Sequence, residues 1–133
     1  MIFFWDKNIP KTIPEALLTL NLPVGTEYYL KHFPLSDKYP EGGDDRWLSQ
    51  VGSWGWVVIS QDWSLHTKPN ELFALKQHNI GCFYLWGAQA PKWEILRCFA
   101  RGYDRIIRAA ANTPRPFIFW VAQIGILTPI RIP

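Results

Sequence analysis

The chain has 133 residues and a mass of 15.5 kDa, the size of one domain built around one core. It is 48% hydrophobic, 16% aromatic and 19% charged, a composition that excludes a disordered or tail-like chain. The charge is uneven: residues 1–91 hold seven Lys and Arg against nine Asp and Glu (−2), and residues 92–133 hold seven against two (+5). This asymmetry suits a phosphate-bearing partner bound by the basic segment, with cations in the acidic one.

The sequence also predicts a compartment. No apolar run approaches the roughly 20 residues of a membrane-spanning helix, and Asp6 and Lys7 interrupt the apolar N-terminus before it can act as a signal sequence. Cys82 and Cys98 are too few for a disulfide framework and have no metal-ligand spacing. We therefore expect two reduced cysteines, a cytoplasmic protein and no membrane partner.

Apolar runs and breaker residues predict strands that alternate with helices. Thr12 and Glu15 have the spacing of a capping box, and Pro69 and Pro91 are typical of a first helical turn. The predicted strands are 2–5, 27–33, 56–59, 82–86 and one or two within 117–132; the predicted helices are 13–20, a short one capped by Asp44, one from Pro69, and one from Pro91 to about residue 111.

This alternation predicts an α/β fold in which a mostly parallel sheet lies between two layers of helices. Ligands of such sheets bind at the carboxyl ends of the strands, where the loops converge. Asp6 ends the first strand, Asp62 follows the third, and Asp44 begins the helix between the second and third. The fold can therefore bring three carboxylates from distant positions to one edge.

Three carboxylates at one edge are typical of a metal site. They repel one another unless a cation intervenes, and their hard oxygens favour Mg²⁺ or Mn²⁺. Two such ions would clamp the attacking and leaving oxygens of a phosphodiester. The alternative is that each Asp is a turn or N-cap residue, which is the commoner role of a single Asp after a strand.

Short motifs spread over nearly the whole chain resemble those of PIN-like domains of the VapC toxin type. The motifs are FWDKNIP (4–10), DDRWL (44–48), GWVVISQD (55–62), KPNEL (68–72), WE (93–94) and PFI (116–118). The resemblance implies a single PIN-like domain over residues 1–133 with a three-layer α/β/α fold. It also implies a metal-dependent endoribonuclease that uses Mg²⁺ or Mn²⁺, often held inactive by an antitoxin protein.

Carried over residue by residue, the resemblance makes Asp6, Asp44 and Asp62 the catalytic carboxylates and metal ligands. Asp45 is the alternative to Asp44, because a shift of one residue at a helix start lies within alignment error. Asn8 matches the polar residue two positions after the first acid, where it can orient a ligand. The number of metal ions, a homodimer and the presence of an antitoxin all stay open.

The chain departs from the wider PIN pattern after the fourth strand, where a further acid is common. The segment WGAQ (86–89) has no acid. Glu94, in the first turn of the last predicted helix, is a partial substitute, but the favourable interaction of an acid with the helix dipole explains its presence equally well. A catalytically silent PIN-like module that binds RNA or a protein is therefore the alternative function. A signalling receiver domain also places acids after strands one and three, but it needs a lysine after the fifth strand, and no lysine follows Lys92.

The last predicted helix carries a row of arginines within an arc of roughly 80°, opposite an apolar face. They are Arg97, Arg101, Arg105 and Arg108. The row predicts contacts with an RNA backbone or with an acidic antitoxin; the alternative is a solvated helix face. Trp63, next to Asp62, is either a core residue or a stacking partner for a base, and its exposure distinguishes the two.

Overall fold

The structure is a computed structural model and describes residues 1–33 and 45–133. Alternating strands and helices make up these residues. In chain order they are β1 (Ile2–Trp5), α1 (Thr12–Thr19), β2 (Gly25–Tyr28), α2 (Tyr29–His32), α3 (Asp45–Ser53), β3 (Val57–Ser60), a 3₁₀ turn (Leu65–Thr67), α4 (Pro69–Gln77), β4 (Gly81–Leu85), α5 (Lys92–Asn112), β5 (Phe117–Val121) and β6 (Leu127–Pro129).

The described strands form one sheet in the order β2-β1-β3-β4-β5-β6. β1 to β5 are parallel, and β6 returns antiparallel to β5. β1 and β3 are therefore neighbours, with Trp5 paired to Ile59. The mostly parallel sheet predicted from the alternation of elements is confirmed.

Alternate residues of each central strand enter two separate cores, because side chains along a strand point to opposite faces. Trp5 and Ile59 pack with α1 and α5 on one face. Phe4 and Val58 pack with α3 and α4 on the other. The sheet thus lies between two helical layers, which confirms the three-layer α/β/α fold.

The second strand differs from its prediction of 27–33. β2 begins at Gly25, which pairs with Ile2, and ends at Tyr28. The chain then turns into α2, where Lys31 and His32 both reach the Glu27 carboxylate, at 3.1 and 2.7 Å. These contacts require the chain to turn back toward Glu27. The predicted strand 27–33 is therefore extended only up to Tyr28 and helical from Tyr29 to His32.

The start of α1 differs in its capping. Thr12 is already helical, Lys11 occupies the N-cap position, and no side-chain hydrogen bond caps this end. The helix starts one position earlier because the Ile13 N–H donates to Pro10 O, so the predicted capping box does not form. The expected N-cap of α3, Asp44, lies outside the described residues. None of the helices in residues 1–33 and 45–133 has both the length and the apolar character needed to cross a membrane.

Candidate acidic site at the ends of β1 and β3

Asp6 is a buried carboxylate at the carboxyl end of β1, with 1% of its surface exposed. It follows Trp5, so its side chain points to the opposite face of the sheet, the side of α3 and α4. Its N–H donates to Ile59 O at 2.9 Å, which continues the pairing of β1 with β3. The Ser60 hydroxyl donates to Asp6 Oδ2 at 2.8 Å.

Ser60 connects the two acids of this edge. Its Oγ also accepts the backbone N–H of Asp62 at 2.9 Å, so one buried hydroxyl bonds to Asp6 on one side and to the Asp62 backbone on the other. Ser60 is not among the site residues predicted from the sequence. The signal was present, because a polar residue ends the otherwise apolar strand VVIS.

The Asp62 carboxylate is held by the loop that follows β3. Its Oδ1 accepts the Ser64 N–H at 3.1 Å and the Ser64 hydroxyl at 2.7 Å, and its Oδ2 lies 2.9 Å from the Lys68 ammonium. Partial burial acts to raise the pKa of Asp62, but hydrogen bonds from Ser64 and Lys68 outweigh it and hold the pKa below its ordinary value. Asp62 is therefore ionised and partly neutralised by Lys68.

Both carboxylates act on the same buried thiol. Burial raises the pKa of Cys82 well above its usual range, and the negative charges of Asp6 and Asp62 raise it further. Cys82 lies in β4, in the core on the side of α3 and α4. The negative fields of the two acids thus overlap on that face of the sheet.

The other predicted site residues are placed as follows where the structure describes them. Asn8 is exposed in the turn after β1. Asp45 is the first residue of α3, but its side chain, like Asp44 as a whole, lies outside the described residues. Glu94 pairs with Arg97 at 3.1 Å, so this acid has a local partner on α5. The site positions of Asp44 and Asp45 stay predictions.

A small cleft opens beside Asp6 on the side of β2. Its volume is about 90 Å³, several times the roughly 30 Å³ that one water occupies in the liquid. Lys7 and Lys11 line it together with Asp6. Lysine ammonium groups form charge-assisted hydrogen bonds with anionic groups such as phosphate.

The chemistry of these acids suits a hard divalent cation. Asp6 and Asp62 offer the carboxylate oxygens that Mg²⁺ and Mn²⁺ take. No group of three His, Cys, Asp or Glu side chains suited to a metal occurs within residues 1–33 and 45–133. The described acids therefore fit part of a ligand set, and Lys68 already supplies part of the countercharge at Asp62.

The predicted arginine row lies on the other layer. α5 packs against the face of the sheet opposite Asp6 and Ser60. Arg97 pairs with Glu94, and Arg101 donates to Gln123 O at 3.5 Å, while Arg105 and Arg108 are exposed. Asp104 is also exposed and lies one turn before Arg108, so acids interrupt the row.

Replacing Ser60 with alanine tests the link between the two acids. Ser60→Ala removes the donor to buried Asp6 Oδ2 and the acceptor of the Asp62 N–H, so we expect the free energy of unfolding to fall by about 1–3 kcal/mol. Urea unfolding at pH 7 measures the change. Ser53→Ala is the control: its exposed hydroxyl bonds only within α3, and it should cost less than about 0.5 kcal/mol. Equal losses for both variants would contradict the bridging role.

Replacing Lys68 with methionine tests the countercharge of Asp62. The pKa of Asp62 is lowered in the folded protein, so its ionised form stabilises the fold above the unfolded value of about 3.9, and this contribution is lost as the pH falls through the folded pKa. In Lys68→Met we expect the folded pKa to rise toward the unfolded value, so that the acid-induced loss of stability becomes smaller and is complete at a higher pH. At pH 7 the cost should stay below about 1 kcal/mol, because the pair is partly exposed.

The carboxyl-carbon NMR titration of Asp62 measures this pKa in each protein. Lys76→Met, which removes an exposed lysine of α4, is the matched control and should leave the titration unchanged. A titration that is also unchanged in Lys68→Met would show that Lys68 does not set the charge state of Asp62.

Comparison with known protein families gives one match, to the PIN like domain family over residues 1–87. The matched segment runs from β1 to β4 and includes Asp6, Ser60, Asp62 and Lys68. Neither the curated proteins nor the solved structures include a match. PIN-like domains form a superfamily of nuclease type, and the mostly parallel three-layer fold is consistent with it. The match covers well over half of the sequence, and this chain belongs to the PIN-like domain family.

Proposed function

We propose that the protein is a metal-dependent endoribonuclease, and that it acts as the toxin of a toxin-antitoxin pair. The observation that carries the proposal is the buried Ser60 hydroxyl, which bonds to the Asp6 carboxylate and to the Asp62 N–H at the carboxyl edge of two adjacent parallel strands. Membership of a nuclease-type superfamily supports the reaction class. Asp44, or Asp45 in its place, would complete the set of carboxylates.

The proposed reaction is hydrolysis of an RNA phosphodiester. Water attacks phosphorus in line, the bond to O3′ breaks, and the products carry a 5′-phosphate and a 3′-hydroxyl. Asp6, Asp62 and the acid before α3 would hold Mg²⁺ or Mn²⁺, which when bound supplies positive charge to activate water and to offset the charge of the phosphate. Ser60 keeps the Asp6 carboxylate in place, and Lys68 limits the repulsion between the acids.

Asp6→Asn is the direct test of the reaction. The amide keeps the size of the side chain but removes its charge, so we expect the Mn²⁺-dependent cleavage rate on single-stranded RNA to fall at least about 100-fold. Gel analysis of end-labelled RNA measures the rate. Glu15→Gln, an exposed acid of α1, is the control and should cut like the unmodified protein. Cleavage that survives Asp6→Asn would remove the assigned site.

A catalytically silent PIN-like module is the second candidate function. It is favoured by the pairing of Asp62 with Lys68, which already offsets part of the negative charge that a metal ion would neutralise. Calorimetry with Mn²⁺ separates the candidates. Binding that disappears in Asp6→Asn supports the nuclease, whereas no heat of binding together with no cleavage supports the silent module.

Partners and location are part of the same proposal. We assign RNA as substrate and the arginine face of α5 as a contact for an RNA backbone or for an acidic antitoxin. Homodimer formation is compatible with either role. The cytoplasm, where RNA is abundant and cysteines stay reduced, is the proposed location, and both cysteines are buried and unpaired in the structure.

Arg105 and Arg108 test the arginine face. Both are exposed, so removing them tests charge with little change in packing. If they contact phosphates, Arg105→Ala with Arg108→Ala should lower the slope of log affinity against log salt by about 1.4, at about 0.7 per phosphate contact of a single strand. Fluorescence anisotropy with labelled RNA measures it. Lys76→Ala with Arg131→Ala removes the same charge elsewhere on the surface. If this control lowers the slope equally, the effect depends on net charge and not on contacts made by Arg105 and Arg108.

A further inference from the structure

Trp63 is a large exposed side chain next to the acidic site. It directly follows Asp62, so the two Cα atoms are about 3.8 Å apart. Its exposed fraction is 42%, although tryptophan is highly buried on average. The structure thus rules out a fully buried core role for Trp63.

The Trp63 ring is held in one orientation. Its Nε1–H donates to Leu85 O at 3.0 Å, and its ring meets Trp120 edge to face, with centroids 4.5 Å apart and an angle of 89° between the planes. Leu85 is the last residue of β4, and Trp120 is the last residue but one of β5. The ring therefore lies across the carboxyl ends of two strands, the edge at which Asp6 and Asp62 also lie.

Trp63 also lies on the side of the sheet that carries the acids. Trp120 packs against the core formed with α3 and α4, and the Asp6 and Ser60 side chains point to that same side. The arginine face of α5 is on the opposite layer. An RNA strand whose phosphate reaches Asp6 and Asp62 therefore lies on the same side of the sheet as Trp63.

The chemistry left to Trp63 is that of an apolar π surface. The Leu85 carbonyl engages the indole N–H, so the ring has no donor for reading base edges. Its exposed surface can stack on a base of any identity. Lys68 is on the same loop with 43% of its side chain exposed, which adds positive charge for a neighbouring phosphate.

Trp54 shows that exposure alone does not place a tryptophan where it can stack on a base near the acids. It has the same exposed fraction of 42%, but it precedes β3 and so lies toward the opposite end of that strand. Its ring packs with Trp56 at 4.7 Å and with His32 at 5.7 Å. Trp54 is therefore a matched control for Trp63.

We propose that Trp63 is a stacking platform for one unpaired base of a single-stranded RNA, next to the phosphate at Asp6 and Asp62. The inference rests on the proposed function, because it requires RNA at the acidic site. It adds a binding site that is selective for an unpaired base and indifferent to which base it is. A base locked in a duplex cannot take this place.

The test measures RNA binding without cleavage. Fluorescence anisotropy in a Ca²⁺ buffer compares a labelled RNA hairpin that ends in a four-nucleotide single-stranded overhang, too short for the protein to shift register, with a series that carries one abasic site at each overhang position in turn. For the unmodified protein we expect one abasic position to weaken binding about 5- to 150-fold, the range that base stacking on an aromatic side chain supplies. Trp63→Ala should weaken binding of the intact strand by a similar factor and no longer respond to the abasic position.

Trp63→Phe keeps a stacking ring and should retain most of the affinity, whereas Trp54→Ala should change nothing. The abasic series uses the unmodified protein, so it shows whether one base contributes to binding even if Trp63→Ala does not fold. RNA binding with no position-specific abasic effect, or equal affinity in Trp63→Ala and Trp54→Ala, would overturn the platform and leave the proposed function intact. Failure of the unmodified protein to bind any strand would overturn both.

Discussion

A carboxyl group buried at the end of a central strand, that of Asp6, is the constraint on which this edge of the molecule depends. Burying an ion costs several kcal/mol unless hydrogen bonds and opposite charge compensate it. The Asp6 carboxylate receives the Ser60 hydroxyl, and this contact exists only because β3 lies directly beside β1. The sheet order is therefore both a feature of the fold and the device that holds the acid in place.

The Ser60 hydroxyl also links the residues of this edge to one another. Ser60 bonds to Asp6 and to the Asp62 backbone, and Asp62 in turn binds Ser64 and Lys68. The loop after β3 is thus anchored at several points on an ordered strand end. The Lys68 ammonium also offsets part of the negative charge of Asp62.

Local sequence patterns predicted the layers and the parallel sheet, because apolar runs and breaker residues are local signals. The contacts of Ser60 and Lys68 were not predicted, since they depend on which strands become neighbours and on how a loop folds back. The extent of β2 was wrong for the same reason: Gly25 becomes strand only through its pairing with Ile2. The structure places Asp6 and Asp62 at the expected edge, while their roles, and those of Asp44 and Asp45, stay predictions.

If the protein binds RNA as proposed, the division of charge between the two layers limits how the RNA can lie on it. The acids and Trp63 lie on the side of α3 and α4, whereas the arginines are on α5 across the sheet. α5 begins just after β4 ends, so Arg97 is nearest the acidic edge, and Arg108 is about 16 Å further along the helix. A strand that contacts both regions must bend around the edge of the sheet near Arg97. A short substrate would therefore depend on the acids and Trp63 alone, and contacts with Arg105 and Arg108 would require a longer RNA or a separate partner.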